Sequence, residues 1–349
     1  MYDFIVVGQG LAGTLIGYRL EKAGKSVFYL DHPAQTAASH VAAGIVNPIT
    51  GRRFVKSWQI DALLPEARTL YAALEQDLGS QFWYDLPLVR TLFNQGDQNY
   101  WDVRTGEPGY TQYMAEHPEL GEFLQFTRPA FAYGEVKQTA RVAVDHLVDA
   151  YRKQLKEKGR FQATVFNYEQ LVFTESLLTY QGINAHEIIF CEGWHGKANP
   201  WFNYLPFRGA KGEVLRVQLP HPIATRMLKH QVFLVPQTDR TYWVGATTEN
   251  HFVDDQPTSF NAQVLEDRLK NVLKIPYEIL RHQAAVRPTV KDRRPFLGRH
   301  PRAPRVVIFN GLGGKGASLA PLCSRWLVEH LLYQRPLPNE VDIKRFVVK

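Results

Sequence analysis

The sequence predicts an α/β protein that joins a parallel sheet, drawn from both ends of the chain and its middle, to a second α+β unit built on an antiparallel sheet. Three observations predict it. Residues 1–31 hold a strand, a glycine turn, a helix and another strand. A second strand, glycine loop and helix lie near the C-terminus. Residues 213–247 hold three strand-like segments with no helix between them.

Each element has a local cause. Residues 4–7 form a short continuous apolar run, Gly8, Gly10 and Gly13 make a turn, and Leu15, Ile16, Tyr18, Leu20 and Ala23 recur at helical spacing until Gly24 stops them. Residues 27–30 follow as a second apolar run, and so short a crossover makes the two strands parallel neighbours. From about 60 to 130 the chain is aromatic-rich and polar, with helical spacing over 62–78 and a strand-like stretch over 86–93. An amphipathic helix is expected over 140–155, with Val142, Val144, Leu147, Val148, Tyr151 and Leu155 on its apolar side. Strands are expected over 162–168, 171–173 and 187–190, then over 213–217, 232–236 and 241–247, the last three suggesting an antiparallel sheet. The chain closes with a strand over 305–309, a glycine loop over 311–316, a helix and a polar tail. Pro321 is tolerated in a first helical turn, which places the start of that helix near Ser318. This order predicts discontinuous domains, one from residues 1–55, 137–200 and 300–349 and the other from 56–136 and 201–299.

Composition narrows the class. A chain of 349 residues buries a core without a disulfide or metal staple, and 45% apolar with 21% charged residues is globular usage. Lys plus Arg (41) exceed Asp plus Glu (34), a formal +7 with no basic block beyond pairs such as Arg52-Arg53 and Arg293-Arg294; the surplus reads as a solubility device. Cys191 and Cys323 have neither C-x-x-C nor metal-ligand spacing, so no metal site is expected and a reducing compartment fits. No signal-peptide pattern or apolar run of spanning length is present, which gives a soluble, cytoplasmic protein without a membrane span as the expectation.

Gly8-Gln9-Gly10-Leu11-Ala12-Gly13 fits G-x-G-x-x-G directly after a strand and at the opening of a helix. The glycines remove side chains so that backbone N–H groups and the positive helix end can approach a pyrophosphate. Asp31 ends the second strand, where a carboxylate accepts from ribose hydroxyls, and an acid there argues for FAD or NAD over NADP. A nicotinamide dehydrogenase continues with further βαβ units. This chain continues instead with a loop of small residues from Thr36 to Pro48, which lets backbone approach a flat ring system. Near the C-terminus, residues 309–321 join a strand to a helix through Gly311, Gly313, Gly314 and Gly316. A helix N-terminus there would stabilise negative charge on the pyrimidine edge of a reduced flavin.

Taken in order, these motifs resemble the D-amino-acid oxidase family of flavoenzymes, the group that includes glycine and sarcosine oxidases. The resemblance rests on Gly8 to Gly13, Ala43-Gly44, Lys211-Gly212-Glu213-Val214-Leu215, Leu234-Val235-Pro236, Val244-Gly245-Ala246-Thr247, Val286-Arg287-Pro288, Asp292, Arg294-Pro295-Phe296-Leu297-Gly298 and Gly311 to Pro321, and it covers most of the chain. It implies a Rossmann-like FAD-binding domain and a substrate domain whose antiparallel sheet covers the flavin ring. Carried over residue by residue, Gly8, Gly10, Leu11, Ala12, Gly13, Asp31 and His32 would serve the ADP end, and Ser39, Ala43, Gly44 and Ile45 the diphosphate and ring. Val165 would meet adenine through its backbone, while Leu312, Gly313, Gly314, Lys315, Gly316, Ala317 and Ser318 would hold the pyrimidine edge.

Arg287 is the catalytic and substrate-binding candidate that the resemblance implies, because a guanidinium clamps a carboxylate in a planar, bidentate fashion. Gly314 would border the substrate, standing where glycine oxidases carry a larger side chain. Phe233 stands where relatives often have tyrosine, and Cys191-Glu192-Gly193 replaces a small-small-glycine run, which brings a charge toward the cofactor. His40 is one residue out of step with a flavin-attachment histidine and no cysteine matches an attachment site, so noncovalent FAD is expected.

The resemblance implies an oxidoreductase that oxidises the C–N bond of an amino acid or secondary amine by hydride transfer to flavin N5, with hydrolysis of the imine; oxygen is the favoured acceptor, and a dehydrogenase that uses a quinone stays open. Two alternatives stay open: a flavin oxidase acting on a carboxymethylaminomethyl-modified tRNA base, which the absence of a basic-aromatic stripe disfavours, and a flavin-binding protein without turnover. A homo-oligomer is compatible with all three readings.

Overall fold

A computed structural model of the chain describes residues 1–34, 37–115, 117–121, 123–220 and 224–346. Thr36 and the end of the polar tail lie outside the described residues. Within them the fold is α/β, framed by two eight-stranded sheets.

In the first sheet Phe161–Ala163, Val27–Asp31, Tyr2–Val7 and Ile183–Phe190 lie side by side and parallel. Ala303–Asn310 adds a fifth parallel strand along the later half of Ile183–Phe190, and the hairpin of Leu171–Phe173 with Leu178–Tyr180 covers its earlier half. Ile5, Val6, Ile188, Ile189, Val306 and Val307 are buried without alternation, as strands covered on both faces must be. On one face, Leu15, Ile16 and Leu20 of the Leu11–Lys22 helix pack into a core with Leu147 and Val148 of Val144–Glu157 and Leu319, Leu322 and Leu327 of Gly316–Tyr333. On the other, Ile5, Val7, Ile188 and Phe190 meet Tyr180, Phe202 and Phe207.

The second sheet runs Glu278–Val290, Phe207–Gln218, Tyr242–Gly245, Phe233–Pro236, Met227–Lys229, Leu88–Leu92, Ala132–Val136 and Met114–Ala115. It is antiparallel except where Met227–Lys229 runs parallel to Leu88–Leu92. Period-two alternation sorts its faces. Leu215, Val244, Leu234 and Leu228 lie in register and pack against Leu265, Leu269 and Val272 of the Ser259–Val272 helix. Val214, Gly245, Phe233 and Lys229, one residue away on each strand, line a cavity on the opposite face.

Several expectations shift at element ends. The helix expected over 140–155 begins only at Val144; Ala140–Val142 is instead a strand pairing with Ile45-Val46 and Trp83–Asp85. Sheet partners decided this where apolar spacing alone could not. The strand expected over 162–168 pairs only through Ala163, because its neighbour ends at Asp31, and Tyr168 opens a 3₁₀ turn. The C-terminal helix starts at Gly316, so Pro321 sits in the second turn rather than the first. The Ala317 carbonyl that Pro321 leaves without an amide partner accepts the Tyr71 hydroxyl instead, at 2.9 Å. Gln95–Gly106 and Ser259–Val272 are two further helices that the sequence spacing does not predict.

Candidate active site

The parallel strands all deliver their C-terminal ends to one cavity of about 1200 Å³, whose opposite wall is the face of the second sheet carrying Lys229 and Phe233. At its first end Gly8 has φ +91°, and a Cβ there would stand 2.5 Å from the Cys191 carbonyl oxygen. Gly10 caps the Leu11–Lys22 helix without a side chain, and the Leu11 N–H donates to Ser39 Oγ at 3.0 Å. Gly10, Leu11, Ala12, Asp31, His32 and Val165 all line this end. Gly13 does not: a Cβ on it would overlap the Gly8 carbonyl, so its place is the close crossing of helix over strand.

Asp31 is already engaged. Its Oδ1 accepts the Gln9 N–H at 3.1 Å, its Oδ2 pairs with Arg152, and Arg152 Nε donates to Gln9 Oε1 at 2.5 Å. Val165 is 60% exposed and follows Thr164, whose N–H donates to the Asp31 carbonyl at 2.8 Å. The middle of the cavity is bordered by the one-turn helix Ala38–Val41 and by Ala43, Gly44 and Ile45. Gly44 has φ +69° and a Cβ on it would run into the Val142 carbonyl, so backbone lies bare there. The Trp243 indole N–H donates to the Val41 carbonyl at 2.8 Å and ties this helix to the second sheet. His40 lines the cavity with Nε2 3.1 Å from Asp149 Oδ1.

At the far end Leu312, Gly313, Gly314, Gly316 and Ala317 line the wall. Lys315 and Ser318 do not: the Lys315 ammonium turns to Ser57 Oγ (3.2 Å) and Thr50 Oγ (3.4 Å), and the Ser318 hydroxyl donates to the Lys315 carbonyl at 3.0 Å. Arg287 lies across Gly212, where a Cβ would overlap its guanidinium, and it donates to the Thr247 carbonyl at 3.2 Å. Burial lowers its pKa, and among the described residues no carboxylate pairs with it. A Cβ on Gly314 would stand 3.4 Å from Arg287 Cδ, in ordinary contact. Arg52 and Arg53 are exposed and stand outside the cavity lining.

Besides Asp31 and Arg287 the wall carries five charged side chains among the described residues, Arg152, Glu192, Lys197, Lys229 and Asp255, of which the sequence places only Glu192 near the cofactor. Arg152 meets Asp31 across 121 residues, with no local signal to announce it. Glu192 takes 2.5 and 2.8 Å hydrogen bonds from the Tyr168 hydroxyl and the Asn199 amide. Burial pushes its carboxyl up to about 7, against the lowering effect of those bonds. Lys229 is pushed down to about 8 by burial, with Arg90 and Arg268 adding to the effect.

Residues 3–330 match the family described as FAD dependent oxidoreductase. The chain belongs to that family.

As an FAD-dependent oxidoreductase it is similar to the bifunctional protein ThiO/ThiG of Nostoc sp. strain PCC 7120, 24% identical over 96% of this chain and 53% of that protein. The chain thus spans about half the length of that relative. It is also 24% identical to the glycine oxidase of Bacillus licheniformis, over 95% of this chain and 93% of the other. The crystal structure of glycine oxidase from Geobacillus kaustophilus superposes with a TM-score of 0.78 at 21% identity, covering 100% of this chain and 98% of that one. The cavity suits the family's cofactor on its own geometry: glycines bare the backbone at Gly8, Gly44 and Gly314, and two helices, Leu11–Lys22 and Gly316–Tyr333, open against it at Gly10–Ala12 and Gly316–Ala317. Among the described residues no helix is long and apolar enough to cross a membrane.

Proposed function

We propose that this FAD-dependent oxidoreductase oxidises the C–N bond of a substrate that is both an amine and a carboxylate. The observation that carries the reading is Arg287, a cation with no carboxylate partner among the described residues, aimed across Gly212 beside the Leu312–Gly314 loop. Bound FAD would supply the two-electron acceptor. Gly8, Gly10, Leu11, Ala12, Asp31 and His32 would hold its ADP part, with Val165 toward adenine, and Ser39, Ala43, Gly44 and Ile45 would follow the diphosphate and ring. Leu312, Gly313, Gly314, Gly316 and Ala317 would face the pyrimidine edge. All are cavity-lining residues, and noncovalent attachment fits a His40 ring that faces Asp149.

In this reading Arg287 takes the substrate carboxylate in a bidentate grip and sets the α-carbon against the acceptor, where near-contact geometry governs the rate. The substrate gives up a hydride from carbon and a proton from nitrogen, and water hydrolyses the resulting imine to a carbonyl acid and an amine or ammonium. Oxygen, reduced to peroxide, is the proposed terminal acceptor. The FAD-holding half would comprise residues 1–55, 137–200 and 300–349, and the substrate half 56–136 and 201–299; a cytoplasmic, soluble enzyme fits the composition.

The test is anaerobic mixing of the FAD-loaded protein with glycine, sarcosine, proline and D-amino acids while the 450 nm flavin band is followed, then admission of air with peroxide assayed. Bleaching by at least one amino acid is expected. Arg287→Ala should raise KM by roughly two orders of magnitude, with partial recovery in Arg287→Lys. An amine lacking any carboxylate that is oxidised as well as its carboxylated analogue would sink the assignment.

A further inference from the structure

Five residues form one row across the second sheet: Lys229 pairs with Phe233, Phe233 with Gly245, Gly245 with Val214, and Val214 with Gln283. Cross-strand partners share a face, and all five line the cavity. Arg287 stands four residues beyond Gln283 on the same strand and folds back over Gly212, two residues from the row. At the other end of the row the Lys229 ammonium lies over the Phe233 ring, 4.6 Å from its centroid.

From Gly212 to Phe233 is two strand spacings sideways and two residues along. With about 4.8 Å per strand and 3.3 Å per residue, the two cationic heads stand on the order of 12 Å apart. Neither has a carboxylate partner among the described residues: Arg287 donates to neutral oxygens, and the charged groups acting on Lys229 are Arg90 and Arg268, both cations. Burying a cation without a counter-charge is costly, and cations that are part of a ligand site are completed by the ligand.

Resting on the reading of Arg287 as the carboxylate clamp, we propose that Lys229 is a specificity-determining residue that binds a second carboxylate, so that the preferred substrate is an amino acid or secondary amine carrying two carboxylates separated by two or three atoms. Such a dianion, with each carboxylate about 4 Å from its cation, spans the gap, while Phe233 and Trp243 wall the apolar stretch between. A phosphate would bring nearly two charges to one ammonium, since Arg90 and Arg268 act on Lys229 from outside the cavity lining; a carboxylate brings one.

The experiment uses the FAD-loaded enzyme and unreactive acids. Glutarate and succinate are titrated against butyrate and acetate by calorimetry and by the shift of the flavin spectrum. Glutarate is expected to bind at least tenfold more tightly than butyrate. In Lys229→Gln that ratio should fall below threefold, with recovery in Lys229→Arg. In turnover, Lys229→Gln should raise KM for D-glutamate, D-aspartate or N-(carboxymethyl)glycine at least tenfold while changing kcat far less. Equal binding of glutarate and butyrate by the wild-type enzyme overturns the proposal whether or not a variant folds. So does a Lys229→Gln enzyme that keeps its glutarate preference and loses only the rate of reoxidation by oxygen, which would place Lys229 with the acceptor. Tight glutarate binding with no amine able to bleach the flavin would retain the two-carboxylate site and refute the amine chemistry.

Discussion

Tyr71 and Pro321 show how one residue's deficit is met by another far along the chain. Pro321 has no N–H for the Ala317 carbonyl, and the buried Tyr71 hydroxyl donates to that oxygen from the Ile60–Leu78 helix. Tyr71→Phe should cost about 1–3 kcal/mol in urea unfolding, the penalty of an unsatisfied buried acceptor, and the cost should shrink in a Pro321→Ala background, where the helix can supply an amide. Equal costs in both backgrounds would refute that account. Glu192 makes a pH prediction. An acid whose folded pKa stands near 7, above its ordinary 4.5, holds its proton more tightly in the native chain. Stability is therefore greatest when the carboxyl is protonated and is lost as pH rises from about 4.5 to about 7. Glu192→Gln should gain stability over wild type across that window, by no more than about 3 kcal/mol, and the gain should level off above pH 7. A difference that does not vary between pH 5 and pH 8 would contradict it.

At the scale of elements, one carboxylate fastens the Ser259–Val272 helix to the second sheet. Glu213 has a fully buried side chain; it accepts from the Thr258 N–H (2.9 Å), the Thr258 hydroxyl (3.1 Å) and the Asn261 amide (2.9 Å), and His282 Nε2 lies 2.8 Å away. Lys211, also buried, stands 3.5 Å from it. Thr258 in turn caps the helix by accepting the Asn261 N–H. Glu213→Ala would leave the Lys211 charge, among the described residues, with Asp254 alone at 3.7 Å, and a loss of about 3–5 kcal/mol by denaturant titration is expected. A loss under about 1 kcal/mol would show that the network carries little. This cap and the Leu265, Leu269, Val272 spacing are signals from which the helix could have been read. The Gln95–Gly106 helix offered less, with only Trp101 and Thr105 buried and no apolar stripe to detect.

At the scale of the molecule, the cavity borders residues from both sheets and from both ends of the chain, so its occupant should bind the folded form alone. FAD should raise the unfolding temperature with concentration, by the equivalent of about 2.7 kcal/mol at a hundred times its Kd, and ADP, which reaches only the Asp31 end, should raise it less. Thermal scans at increasing FAD check this; a midpoint indifferent to FAD would leave the cavity without its proposed cofactor.

The sequence alone determined what neighbouring stretches of chain settle between themselves: the two strand–glycine–helix turns, the acid closing the second strand, and the buried strands whose apolar runs need no partner to be recognised. Glycines at 8 and 44 were legible because close backbone approach leaves a local mark. Tertiary structure decided the rest. Arg152 reached Asp31, Glu213 gathered Thr258, Asn261 and His282, and Lys229 came into one row with Phe233 and Gln283 only through sheet pairing and helix packing between segments far apart in the chain. Their signals are single polar residues in ordinary surroundings, and register, which composition and spacing do not encode, is what turns them into a site.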